Sequence, residues 1–105
     1  GALLLFGSDF PVVPQDPIQG IHCAVDRIYR NGVPFEPQQR VDLDTALTAY
    51  TLNPAIAIEK QWELGRIEPG FEADITVFTS DLRTVSTKSI QENPVKWMMI
   101  AGKKL

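Results

Sequence analysis

The stretch GALLLFGSDFPV, residues 1–12, ends an apolar run with a single carboxylate, Asp9, and continues at once into Phe10-Pro11. A short apolar run bounded by a turn signal is typical of a strand that is buried on both faces, as in parallel sheets. Such a strand needs neighbours on both sides for its N–H and C=O groups. The rest of the sequence offers no second run of this kind, so the stretch predicts an internal strand cut from a larger α/β structure.

The bulk composition fits one small soluble globular domain. The chain has 105 residues, of which 44% are hydrophobic and 22% are charged. Its net charge of -3 is spread along the sequence without a basic stripe, so we expect no nucleic acid as a partner. No apolar stretch approaches the roughly 20 residues needed to cross a bilayer, so we expect no membrane partner either. The single cysteine, Cys23, rules out an internal disulfide and favours a reducing compartment, for which the cytoplasm is the natural expectation.

Three helices are predicted in the first half of the chain. Asp16 is a suitable N-cap for a helix over residues 17–30, where apolar residues recur at helical spacing and Asn31-Gly32 ends the pattern. Asp42 is a suitable cap for a second helix, and Asn53-Pro54 ends it and begins a third, shorter one. The apolar face of the second helix contains Leu43, Ala46, Leu47 and Tyr50.

The sequence pattern changes to short strands after Trp62. Strand-like runs lie on either side of Pro69-Gly70, a pair that favours a tight turn. The segment PVKWMMI, residues 94–100, predicts a last strand, followed by a turn at Gly102 and a short return. The chain therefore divides near residue 60 into a strand with helices, residues 1–60, and a small antiparallel sheet, residues 61–105.

Asp9 is the first candidate for chemistry. A carboxylate at the C-terminal end of a buried parallel strand lies where α/β barrels keep their active sites, and there it could bind a metal or accept a proton from metal-bound water. The alternative is structural, because Ser8-Asp9 before Phe10-Pro11 also suits an Asx-type turn. Residue chemistry alone leaves both interpretations open.

The other residues of reactive type are predicted to be structural. His22 and Cys23 are the only histidine and the only cysteine, and both lie in the first helix. Adjacent side chains on a helix point in different directions, so the two cannot easily bind one metal, and both are predicted to be core residues. With one histidine committed to a helix face, no Ser-His-Asp or Cys-His arrangement is expected. The bulky group of Trp62, Trp97, Met98 and Met99 predicts core or domain-interface packing, with an exposed patch for a partner as the alternative.

Four motifs in order, followed by a final strand, resemble one known family. They are FGSDFPV, DPIQGIHCAVDR, LDTALTAYTLNPA and LGRIEPGFEADITVF, and the last strand leads to AGKKL. Together they resemble the C-terminal part of the metal-dependent amidohydrolase superfamily. The resemblance is to the amidohydrolase family 3 group, which includes YtcJ-like and N-substituted formamide deformylase-like proteins, and it extends over nearly all 105 residues.

The resemblance implies a fold, a chemistry and a set of site residues. Residues 2–8 would be the last strand of a (β/α)8 barrel, the helices up to residue 60 would close it, and residues 61–105 would form part of a small composite β-sandwich. Asp9 would be the metal-site aspartate and the general acid/base in hydrolysis of a carbon–nitrogen bond of a small-molecule substrate. The implied cofactor is a divalent metal, zinc being the expected one.

The resemblance also implies what this chain lacks. The family's HxH pair, its bridging carboxylated lysine or equivalent and its two later histidines have no counterparts in the sequence, so the isolated chain is expected to be inactive and to bind no metal tightly. The alternative is a non-catalytic structural or interaction module. In either case the unpaired strand edges predict self-association.

Overall fold

The computed structural model describes residues 1–29 and 31–105. The helices are α1 Pro17–Asp26, α2 Leu43–Tyr50, α3 Leu52–Ala57 and α4 Thr87–Ile90, with a 3₁₀ turn at Pro37–Gln39. The strands are β1 Ile75–Phe78, β2 Val95–Ile100 and β3 Lys103–Lys104. None of the helices in the described ranges is both long enough and apolar enough to cross a membrane.

Both predicted helix caps are confirmed. The carboxylate of Asp16 accepts a hydrogen bond from the Ile18 N–H at 3.0 Å, and that of Asp42 accepts one from the Thr45 N–H at 2.7 Å. Each bond pairs a backbone donor that the first turn of a helix leaves without an internal partner. The caps therefore fix where α1 and α2 begin.

The predicted end of the first helix is wrong. Helix α1 ends at Asp26 because Arg27 adopts the left-handed conformation with φ 52° and donates its N–H to the Cys23 carbonyl at 3.0 Å. The chain then turns back, and Ile28 pairs with Pro34 in an isolated antiparallel bridge. Residue 30, where the prediction placed the end, lies outside the described residues.

The core lies between α1, α2 and α4. Its buried side chains are Ile18, Ile21, Ala46, Leu82 and Ile90, with exposed fractions between 0% and 7%. Leu82 and Ile90 belong to the predicted second part of the chain, and they pack against helices of the first part. Phe6 of the N-terminal segment reaches this cluster and stacks edge-on against Tyr50 at 5.4 Å.

The three strands form one antiparallel sheet in the order β1-β2-β3. Ile75 lies opposite Met99 and Phe78 opposite Val95, with one irregularity after Val77. The last strand, the turn at Gly102 and the short return are confirmed, and the turn is stabilised by the Asp74 carboxylate, which accepts the Ala101 N–H at 2.8 Å.

The strand predicted before Pro69-Gly70 is absent. Residues 61–74 are fully described and contain turns and bends without a ladder. The turn itself forms, with the Phe71 N–H donating to the Glu68 carbonyl at 3.2 Å. A strand needs a hydrogen-bonded ladder, and no described strand lies beside this run to pair with it.

Residues 2–8 also form no strand here. Within the described chain their backbone makes two hydrogen bonds: the Phe6 N–H donates to the Ala49 carbonyl at 3.0 Å, and the Leu4 carbonyl accepts from the Asn53 side-chain amide at 2.8 Å. A strand is defined by a ladder to a neighbour, and the described chain supplies no neighbour at this edge. The apolar run is therefore held to the helices at one side and lies open at the other.

The accessible surface of the chain is larger than that of a typical folded protein of the same mass. Its accessible surface is 7624 Å², whereas a free-standing folded protein of 11.7 kDa exposes about 5,900 Å². Its radius of gyration is 14.5 Å, against about 13 Å for a compact domain of this length. Large apolar side chains contribute to the excess: Leu3, Leu4 and Leu5 are 41–46% exposed and Trp62 is 77% exposed. Trp62 is therefore not a core residue of the described chain, and its packing at a domain interface stays a prediction.

Candidate functional site

Asp9 lies at the tip of a tight turn that follows the apolar run. Its backbone is left-handed, with φ 47°, and its carbonyl accepts the Val12 N–H at 2.9 Å, which closes the turn around the cis Phe10-Pro11 peptide. An Asx-type turn would need a hydrogen bond to the Asp9 carboxylate, and Pro11, two residues on, has no N–H to donate. The main-chain oxygen closes the turn instead. The side chain of Asp9 is therefore exposed and takes no part in the turn.

Asp9 differs in this respect from every other aspartate in the chain. The sequence contains seven aspartates, and within residues 1–29 and 31–105 six have a carboxylate that is hydrogen-bonded or ion-paired. Asp16 and Asp42 cap helices, and Asp44 pairs with Arg83 at 2.6 Å. The remaining three are Asp26 beside His22 and Thr87, Asp74 at the Ala101 N–H, and Asp81 at the Arg83 N–H. The carboxylate of Asp9 alone among the aspartates has no such partner among the described residues.

The described residues do not by themselves form a metal site. Nowhere in that part of the chain do three His, Cys, Asp or Glu side chains come together as a ligand set would. Tight binding of a divalent ion needs several correctly placed ligands. Asp9 can offer one carboxylate, and the rest of the donor set would have to come from elsewhere.

His22 and Cys23 have separate environments, and the prediction for them is half right. The His22 side chain is 13% exposed and lies 3.5 Å from the Asp26 carboxylate, one helical turn further along α1. Its Nε2 is buried and forms no hydrogen bond with the described residues. The prediction that Cys23 is a core residue is wrong, because its thiol side chain is exposed. Adjacent helical positions point in different directions, and only one of them faces the core.

An open cavity of about 540 Å³ lies between part of the apolar N-terminal segment and the helices. It was not foreseen from the sequence, because its walls come from distant parts of the chain: Leu4, Phe6, Gly20, Cys23, Ala24, Arg27, Gln39, Val41 and Tyr50. Burial raises the pKa of the Tyr50 phenol, with smaller effects from Cys23 and Asp16. A side chain at Gly20 would collide with that phenol, so the Tyr50 ring would have to move to admit one.

Comparison with known proteins places these features in a family. The sequence profile of the amidohydrolase family matches residues 1–104. The N-substituted formamide deformylase of Arthrobacter pascens is 35% identical over 102 residues, which cover 97% of this chain and 19% of that protein. The putative amidohydrolase YtcJ of Bacillus subtilis (strain 168) is 31% identical over 105 residues, 97% of this chain and 20% of that protein.

A solved structure shows the same arrangement of the chain. An amidohydrolase from Thermotoga maritima MSB8 superposes on all of this chain with a TM-score of 0.75 and 22% sequence identity, using 23% of its own length. The chain thus spans about a fifth of the length of the curated relatives that it matches. Since the family profile covers nearly every residue, including Asp9 and its turn, the chain belongs to the amidohydrolase family.

Proposed function

We propose that this chain supplies the C-terminal part of a metal-dependent hydrolase that cleaves non-peptide carbon–nitrogen bonds of amide, formamide or cyclic amide type in small molecules. In this proposal residues 2–8 are the last strand of a (β/α)8 barrel, the helices up to residue 60 close the barrel, and residues 61–105 belong to a small composite β-sandwich. The observation that carries the proposal is the Asp9 carboxylate, exposed and unpartnered directly after the apolar run.

The proposed role of Asp9 is to hold and move a proton. Its carboxylate takes a proton from the water that attacks the substrate carbon, and it then gives that proton to the nitrogen that leaves as the C–N bond breaks. The exposed position suits this role, because no hydrogen bond within the described chain has to break before the carboxylate can act. The turn closed by its own carbonyl fixes the backbone from which the side chain projects.

A divalent metal, zinc being the expected one, belongs to the complete enzyme in this proposal. Such an ion lowers the pKa of bound water and polarises a carbonyl. Asp9 would be one of its ligands. Because the described residues contribute only this one carboxylate, we expect the 105-residue chain by itself to bind no metal tightly and to have no hydrolytic activity.

The test replaces Asp9 in the whole protein that carries this chain. Asp9→Asn keeps the size of the side chain and removes its charge, and we expect kcat for amine release from N-substituted formamides, amides or cyclic amides to fall by about 10²–10⁴. Glu92→Gln is the matched control, since Glu92 is exposed and its carboxylate has no partner in the described chain. Equal loss in both variants, or full activity in Asp9→Asn, would overturn the role of Asp9.

A second measurement tests the isolated chain. Metal analysis after purification should find far less than half an equivalent of any divalent ion. A higher content that is lost in Asp9→Asn would show that the chain holds a complete site. The alternative to this proposal is a non-catalytic, self-associating module. An HxH motif after an apolar strand in the same reading frame would exclude that alternative.

A further inference from the structure

Helices α2 and α3 hold the apolar N-terminal segment at three points. The Asn53 side-chain amide donates to the Leu4 carbonyl at 2.8 Å, and the Phe6 N–H donates to the Ala49 carbonyl at 3.0 Å. The Tyr50 ring packs edge-on against the Phe6 ring, with 5.4 Å between their centroids. The segment is therefore attached by its backbone at two points and by a side chain at the third.

These contacts are compatible with a barrel around the segment. Ala49 is 0% exposed and Ala55 is 4% exposed, so the helices that carry the contacts are packed within the described chain itself. The Leu4 carbonyl oxygen has a second lone pair for a further donor. Among the N–H groups of the segment, the described helices use that of Phe6. The neighbouring strands of the proposed barrel can therefore pair with the remaining N–H and C=O groups.

The Asn53 side chain has no local task in its own helix. Helix α3 spans Leu52–Ala57, and its N-cap residue, Thr51, makes no side-chain cap bond. The Asn53 amide does not bond within α3 in the described chain but reaches Leu4, which lies 49 positions earlier. Asparagine is one of the less favourable residues in a helix. The bond to Leu4 therefore gives this residue a function that helix formation does not.

We propose that Asn53 is a positioning residue for Asp9, an inference that rests on the proposed function of Asp9. Only Gly7 and Ser8 lie between Phe6 and Asp9. Because peptide units are planar, few dihedral angles separate the anchored backbone from the carboxylate. A shift of the segment along its own axis therefore moves the carboxylate relative to the substrate. A misplacement of about 1 Å can cost about 10²-fold in rate, so the anchor bears directly on proton transfer.

The test is a double-mutant cycle in the whole protein that carries this chain. We expect Asn53→Ala to lower kcat for amine release from N-substituted formamides, amides or cyclic amides by about tenfold. KM should stay within about twofold, because the group that moves transfers a proton and is not the group that binds the substrate. In the Asp9→Asn background the same substitution should cause no further loss, since the carboxylate through which Asn53 acts is gone.

Asn31→Ala is the matched control. The Asn31 side chain also makes a hydrogen bond, accepting the Val33 N–H at 3.1 Å, but it does so in an exposed loop away from the N-terminal segment. Its kcat should equal that of the original protein. Thermal unfolding of both single variants checks that a lower kcat does not come from loss of the folded protein.

Hydrogen exchange followed by mass spectrometry gives a measurement that does not depend on activity. The peptide that contains residues 2–8 should exchange faster in Asn53→Ala than in Asn31→Ala, because one of the bonds that hold its backbone is missing. Equal exchange in the two variants would overturn the anchor.

The outcomes of the cycle separate this inference from the proposed function. An unchanged kcat in Asn53→Ala, or a loss of the same factor with and without the Asp9 carboxylate, would overturn the positioning role. Both results leave the role of Asp9 intact as long as Asp9→Asn itself is impaired. Full activity in Asp9→Asn would overturn the proposed function and the positioning role together.

Discussion

Helix α1 and the N-terminal segment are both apolar, yet only the helix is buried. Ile18 and Ile21 of α1 are 5% and 3% exposed, whereas Leu3 and Leu5 are 46% and 43% exposed. A helix satisfies its backbone within itself and needs only a surface for its apolar face. A strand needs neighbours for its backbone as well, and hydrophobicity alone cannot supply them.

The comparison also separates residues by what they serve. Aspartates in the helical region cap helices or form pairs, as Asp16, Asp42 and Asp44 do. Asp9, which follows the N-terminal segment, neither caps a helix nor forms an ion pair with its carboxylate in the described chain. If this division holds, substitutions in the helical core should lower the free energy of unfolding far more than substitutions beside the N-terminal segment.

The largest effect is expected in the core. Ile90→Ala removes a side chain that is 2% exposed, and we expect the free energy of unfolding to fall by about 2–5 kcal/mol, from lost burial and the cavity left behind. Ile67→Ala is the matched control at a side chain that is 81% exposed, and it should change stability by less than about 0.5 kcal/mol. Urea unfolding measures both, and similar losses would contradict the division between core and surface.

The next largest effect is expected at Gly65, where the backbone of Thr51 and Leu52 lies close by. Gly65 has φ +88°, and a Cβ there would lie 2.8 Å from the Leu52 Cα and 2.9 Å from the Thr51 carbonyl oxygen. Gly65→Ala should therefore cost about 2–3 kcal/mol of stability, from backbone strain together with contact against main-chain atoms that cannot move aside.

Gly70→Ala isolates the strain from the crowding. Gly70 has φ +93° and nothing within 4 Å of the added carbon. Its substitution should cost about 1 kcal/mol, from strain alone. Thermal unfolding of the two variants gives the difference, and an equal cost at both positions would mean that crowding at Gly65 is relieved by movement of the chain.

A smaller effect should depend on pH. The Thr45 N–H, which donates to the Asp42 carboxylate, lowers the pKa of Asp42 below its usual 3.8. The charged carboxylate therefore favours folding: its contribution is complete above the unfolded pKa and is lost as the pH falls through the lower folded pKa. Asp42→Asn keeps the cap without the charge. We expect its urea midpoint to lie below that of the original chain at pH 7 and the gap to close as the pH falls below 3.8 and through the lower folded pKa; a constant gap would contradict this origin.

The smallest effect is expected beside Asp9. Val12 is 74% exposed in the turn that Asp9 begins, and Val12→Ser should change the free energy of unfolding by less than about 0.5 kcal/mol. Chemical denaturation at low protein concentration is the measurement. A loss of more than about 2 kcal/mol would show that the N-terminal segment contributes to the core after all.

Local signals in the sequence predicted much of the helical region and of the last hairpin. Caps act within three residues, so Asp16 and Asp42 could be recognised from their positions alone. The end of α1 could not, because it depends on the turn at Arg27 that brings Ile28 beside Pro34. Helix α4 was not predicted, since its four residues are too few to show a periodicity, although Ser86 caps it.

The candidate site divides in the same way. The position of Asp9 after an apolar run was evident in the sequence, but the choice between a turn cap and a free carboxylate was not. That choice rested on which oxygen of Asp9 accepts the Val12 N–H. The cavity between Leu4 and Tyr50 could not be predicted from the sequence either, since residues far apart in the chain form its walls.

The sequence by itself determined the starts of α1 and α2, the final hairpin and the family, because each depends on the order and spacing of neighbouring residues. Only the tertiary structure decided that residues 2–8 lie open, that Leu82 and Ile90 complete the core between α1 and α2, and that the Asp9 carboxylate alone among the aspartates has no partner in the described chain. The physical reason is that burial and pairing are relations between distant residues, which a local pattern can favour but cannot supply.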